Sequence, residues 1–152
     1  MKTWMWFVLA TIIFWGAYVP MIHHGQQAFG TKNSALRTFL FIGLAYFLVS
    51  AVVLTYTVLT KAEPLAFTSS GVSLSMAAGI LGALGALGIV FAMKSGGKPL
   101  AVAPLVFAGA PIMSTFVAMM WDKPDRPPGL MFYVGIATAA LGAAMVLRYR
   151  PT

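Results

Sequence analysis

The sequence predicts an all-helical, polytopic membrane protein that crosses a bilayer five times, and three observations carry that reading. Charged residues make up 9% of the chain and hydrophobic residues 60%, with a mean hydropathy of +0.88; a soluble domain is nearer a quarter charged. The charges collect in a short N-terminus, four narrow bands and a C-terminal tail. Between these lie five charge-free intervals, 3–31, 38–60, 64–93, 99–121 and 127–147, each at least 21 residues long. A helix of that length spans ~31 Å, which matches a hydrocarbon core ~30 Å thick. Lipid cannot satisfy open backbone donors and acceptors, so each interval must be helical or buried in protein. Residues 1–152 read as a single transmembrane domain.

The first helix is expected over 3–20, with Pro20 and Gly25 closing it and Trp4 and Trp6 anchoring it at the interface. Lys2 before an apolar run has the look of a signal peptide. Trp4, Trp6 and Trp15 are bulky, however, and no small-x-small cleavage site follows. The second helix is expected over 37–60 and the third over 72–93, ended by Ser95-Gly96-Gly97. The fourth is expected over 100–121, from Pro99 to the interfacial Trp121, and the proline-rich stretch 122–129 separates it from a fifth over 129–147.

Basic residues flank these spans in ones and twos, so the net charge of +7 reads as contact with anionic lipid headgroups rather than nucleic acid. Lys32, Arg37, Lys94, Lys98, Arg148 and Arg150 fall on one side, and Lys2, Lys61, Lys123 and Arg126 on the other. The larger group favours the cytoplasm, hence a cell-membrane protein with its N-terminus outside and C-terminus inside. The bias is small enough to permit insertion in both orientations.

The third span carries four glycines, at 79, 82, 85 and 88. On a helical wheel Ser75, Ala78, Gly79, Gly82, Ala83 and Ala86 share one arc of ~140°. Ile80, Leu81, Leu84 and Leu87 lie opposite. Leucine burial gains nothing among lipid tails, so close backbone approach is what holds membrane helices together. The small arc is therefore a helix-packing face, expected first within one subunit, with a dimer contact or a sliding surface as alternatives.

No Asp, Glu, Lys or Arg lies within a predicted span core, which argues against a buried-carboxylate proton exchanger and against membrane-embedded acid/base catalysis. The chain is not read as an enzyme. Cysteine is absent, and His23 and His24 read as an exposed loop pair rather than metal ligands, so neither cofactor nor metal is expected. Thr11, Tyr18, Tyr46, Thr55, Tyr56, Ser75, Ser114, Thr115 and Tyr133 are the polar groups available to a cavity, although a lone hydroxyl more often bonds its own helix. Pro104 and Pro111 lie seven apart and free the carbonyls of Leu100 and Phe107; broken helices of this kind bind solute in many transporters.

These features resemble the EamA-type repeat of the drug/metabolite transporter superfamily. Trp15-Gly16 stands late in the first helix, and Ala35-Leu36-Arg37-Thr38-Phe39 opens the second as the family's x-x-Arg-Phe-like stretch does, with Thr38 interposed. Gly82 to Lys94, Ala101-Val102-Ala103-Pro104-Leu105 and Pro111 are similar to its third and fourth helices, and Gly135 and Gly142 to its fifth. Trp121-Asp122-Lys123 stands where a Glu often closes the fourth helix. Most members carry two repeats of opposite orientation, whereas this chain has one.

The resemblance implies a transporter subunit that moves a small metabolite or amphipathic solute by alternating access, as a homodimer of ten helices that is antiparallel if both orientations insert. Trp15, Tyr18, Tyr46, Ser75, Gly79, Pro111 and Ser114 are the candidates for its cavity or gate. Two other classes stand beside it: a flippase subunit for a lipid-linked substrate, and a non-transporting structural subunit of a larger complex.

Overall fold

The computed structural model describes residues 2–30, 34–122 and 124–151; Lys32 and Lys123, which entered the orientation argument, lie outside these. Among the described residues the chain forms α1 (Thr3–Ala28), α2 (Ala35–Thr60), α3 (Ser69–Lys94), α4 (Pro99–Trp121) and α5 (Leu130–Tyr149). All five are long and apolar enough to cross a membrane, which is the mark of a multi-pass membrane protein.

Both ends of α2, α3, α4 and α5 lie within three residues of the expected spans, and the end of α1 does not. It runs through Pro20 and Gly25 to Ala28. Pro20 forfeits one intrahelical bond, the one to the Gly16 carbonyl, and the helix continues because its last turns find tertiary partners. Gln26 reaches α3, and a Cβ at Gly25 would lie 3.9 Å from the Thr38 methyl of α2. The stop is instead Gly30, at φ +67, whose N–H donates to the Gln27 carbonyl at 2.9 Å. His23 and His24 consequently sit on α1, one half-buried and one exposed, rather than in a loop. Their rings meet edge-on at 5.9 Å, and His23 Nε2 lies 3.1 Å from Gln27 Nε2 one turn on.

The third helix starts earlier than hydropathy alone suggests because Thr68 caps it. Its hydroxyl accepts from Gly71 N–H at 3.2 Å and its carbonyl from Val72 N–H at 3.0 Å. At the far end Ser95 N–H donates to Phe91 and Gly96 N–H to Met93, with Gly96 at φ +95. Pro99 then starts α4 at a position where no intrahelical N–H is needed. The helix passes unbroken through Pro104 and Pro111.

The chain divides into two compact units, residues 1–20 with 97–152 and residues 21–96. In the first, α4 packs on α5, and Trp15 of α1 lies 6.2 Å from Phe107 of α4 at 52° between ring planes. In the second, α2 packs on α3, and the buried residues gather from the end of α1 (Ile22, Gln26), the start of α2 (Ala35, Thr38) and the end of α3 (Ala86, Ile89, Val90, Met93). Val90 is fully buried. None of α5 is buried, and its leucines, valines and aromatics are free to face acyl chains.

Candidate functional site

Polar groups converge in each unit, and the two sets differ in character. In residues 21–96 the set is buried. Gln26 Nε2 donates to the Val90 carbonyl at 2.9 Å, joining α1 to α3 across 64 residues of chain. The carbonyl oxygen has two lone pairs, so this bond adds to the helical one. Ser34 and Thr38 are buried beside it in sequence at the start of α2. Thr11, Thr55, Thr57, Thr60, Thr115 and Thr138 all turn their hydroxyls back onto the carbonyl four residues earlier, at 2.8–2.9 Å. Thr38 does not, and its buried hydroxyl has no hydrogen-bond partner among the described residues. Arg37, exposed one residue away, stacks its guanidinium 5.2 Å from the Phe29 ring, which in turn stacks on Phe41 at 5.8 Å. The arrangement locks three helix ends together.

In residues 97–152 the set is open. A surface depression of about 510 Å3 lies where α4 ends and α5 begins. Ser114, Met119 and Asp122 border it from the α4 side, and Arg126, Pro128 and Phe132 from the other. Among the described residues its lining is mainly apolar and includes the Asp122 carboxylate and the Arg126 guanidinium. A site of this composition can bind and orient a solute.

The predicted cavity residues are distributed over both units. Trp15, Tyr18, Pro111 and Ser114 belong to the first, where Trp15 approaches Phe107 and Ser114 alone of the four borders the depression. Tyr46, Ser75 and Gly79 belong to the second and are exposed. The expected packing face of α3 is covered at Ala86 only. Ser75, Ala78, Gly79, Gly82 and Ala83 are exposed, and a Cβ at Gly79 or Gly82 would meet nothing within 4 Å. Most of this face is therefore uncovered by its own unit, residues 21–96.

Gln26, Ser34 and Thr38 were not anticipated from sequence. A signal was present: the interval 3–31 is several residues longer than a bilayer requires, and its surplus contains His23-His24-Gly25-Gln26-Gln27. Among the described residues no three His, Asp or Glu side chains gather as a metal would need. Comparison with protein-family models, curated proteins and solved structures returned no match.

Proposed function

We propose that the chain is a single EamA-like repeat working in a cell membrane as a homodimer, moving a small metabolite or amphipathic solute by alternating access. The observation that carries this reading is the bare small-residue face of α3. A helix that weakens itself with glycine gains nothing from lipid, and it gains close backbone contact from another helix. With Ser75, Ala78, Gly79, Gly82 and Ala83 uncovered in one chain, a second copy supplies that helix. Tyr46 of α2 and Ser75 of α3 then contribute polar groups to a path between the copies.

The chain has no cysteine, so single Gly79→Cys and Leu81→Cys variants in liposomes report on the contact without background. Cross-linking at position 79 but not 81, together with solute flux, is the expected result. No flux over a broad metabolite panel, with cross-linking at neither position, would reject the proposal. Tagging both termini settles the arrangement: one fixed orientation for all molecules removes the antiparallel dimer. A structural subunit of a larger complex is the second reading. It is favoured by the threonine hydroxyls, which are committed to their own helices and leave few donors for a solute. Dimer formation without flux would select it.

A further inference from the structure

The segment between α2 and α3 differs in chemistry from those that join α3 to α4 and α4 to α5. It runs from Lys61 through Glu63, Pro64, Leu65, Ala66 and Phe67 to Thr68. Ser95-Gly96-Gly97-Lys98 and the described part of 122–129 hold no large hydrophobic residue apart from proline. Leu65 is 51% exposed and Phe67 78%, and every residue from Lys61 to Ser70 is exposed. Lys61, at φ 50, turns the chain off α2, and residues 64–68 form neither helix nor strand. The charges of Lys61 and Glu63 cancel, and the charge-free sequence that contains α3 begins five residues before that helix, at Pro64.

The lengths of the flanking helices set the level of this segment. α2 and α3 have 26 residues each, hence ~39 Å at ~1.5 Å per residue. The hydrocarbon core is ~30 Å thick, and the bilayer with its headgroups is ~40–45 Å. Helices that overrun the core by this margin end inside the headgroup layer, and the chain joining them starts there. Leucine and phenylalanine in that layer have water on one side and acyl chains on the other, and burial favours the acyl side. The apolar surface is also continuous: Tyr56 and Leu59 are exposed on the last turns of α2, immediately before the segment.

We infer that residues 61–68 are a membrane-seated anchor, with Leu65 and Phe67 among the acyl chains and Lys61 and Glu63 among the headgroups. The partner is the bilayer itself. Apolar burial holds the segment there, because its net charge is zero and gives anionic lipid no purchase. The anchor extends the lipid contact of α2 and α3 around the turn that joins them. It rests on the helices spanning a membrane and is independent of transport.

The chain has no cysteine, so single nitroxide labels report without background from the whole protein in phosphatidylcholine liposomes. Labels at Ala66→Cys and Phe67→Cys would be compared with Leu81→Cys, exposed midway along α3, and Ser95→Cys, exposed after it. Collisions with oxygen, which concentrates among acyl chains, are measured against collisions with a water-soluble nickel chelate. The oxygen-to-chelate ratio at 66 and 67 should exceed that at 95 and lie toward the value at 81. Adding Leu65→Ser with Phe67→Ser should lower the ratio at 66 to the value at 95. Exchanging part of the lipid for phosphatidylglycerol, or adding salt, should leave it unchanged. Ratios at 66 and 67 equal to that at 95 would put the segment in water and overturn the inference. Shielding from both reagents would mean that protein covers it, and a ratio that rises only with anionic lipid would mean that Lys61 holds it; either result also overturns it. Ala66→Cys keeps both apolar side chains, so the first comparison does not depend on the serine variant, and helicity by circular dichroism controls for folding.

Discussion

Replacing Gln26 by leucine tests the contact on which the 21–96 unit depends. The side chain is 8% exposed and donates a single bond to a carbonyl on a fully buried residue, at 2.9 Å. Leucine is close in volume, so the substitution removes the bond without opening a large cavity. In water a net hydrogen bond contributes about 0.5–1.5 kcal/mol, and between membrane helices the measured average is ~0.6 kcal/mol. The Val90 carbonyl keeps its helical partner, so no orphaned acceptor adds to the cost. The expected loss is therefore about 0.6–1.5 kcal/mol, or roughly a three- to thirteenfold shift in the unfolding equilibrium. Reversible unfolding in mixed micelles, followed by far-ultraviolet circular dichroism, would measure it. A Gln26→Leu protein as stable as wild type would refute the buried bond.

Other substitutions separate local geometry from association. Gly79→Leu with Gly82→Leu meets open space within one chain and should raise helix propensity by about 0.5–1 kcal/mol per site while abolishing self-association in energy-transfer measurements; unchanged association would contradict the α3 contact. Gly71→Ala places a methyl 2.9 Å from the Thr68 hydroxyl that caps α3. Losing that cap costs ~1 kcal/mol, and hydrogen exchange should quicken in the first turn of α3 and nowhere else. Gly96→Ala forces a side chain into φ +95, at a cost of about 1–2 kcal/mol, whereas Gly97→Ala should stay within ~0.5 kcal/mol in the same unfolding assay.

The five helices were legible because solvent writes them. Lipid forbids charge over ~30 Å whatever the tertiary arrangement, so the gaps between Arg37 and Lys61, or between Lys98 and Asp122, mark spans directly. The end of α1 was not legible, because Pro20 and Gly25 are breakers only while nothing else holds the helix. The Gln26 amide bonds to α3 and Gly25 faces Thr38 of α2, and a local rule contains neither neighbour. Thr68 was readable as a cap, yet hydropathy begins its rise past Gly71 and drew the boundary inward. The small face of α3 is plain in the spacing of Ser75, Gly79 and Ala83, but its partner is not: glycine and alanine accept any backbone that lies flat on them.

The bond from Gln26 to Val90 also imposes a timetable on the newly made chain. Threonines such as Thr11 and Thr55 carry their acceptor in their own helix and are chemically complete as soon as that helix coils. Gln26 is not, because its acceptor is synthesised 64 residues later. At about 5–20 residues per second, its amide waits roughly 3–13 s, leaning on water, a headgroup or the insertion machinery. The end of α1 therefore gains this bond only once α3 has been made, and a ribosome stalled between them would leave that bond unformed.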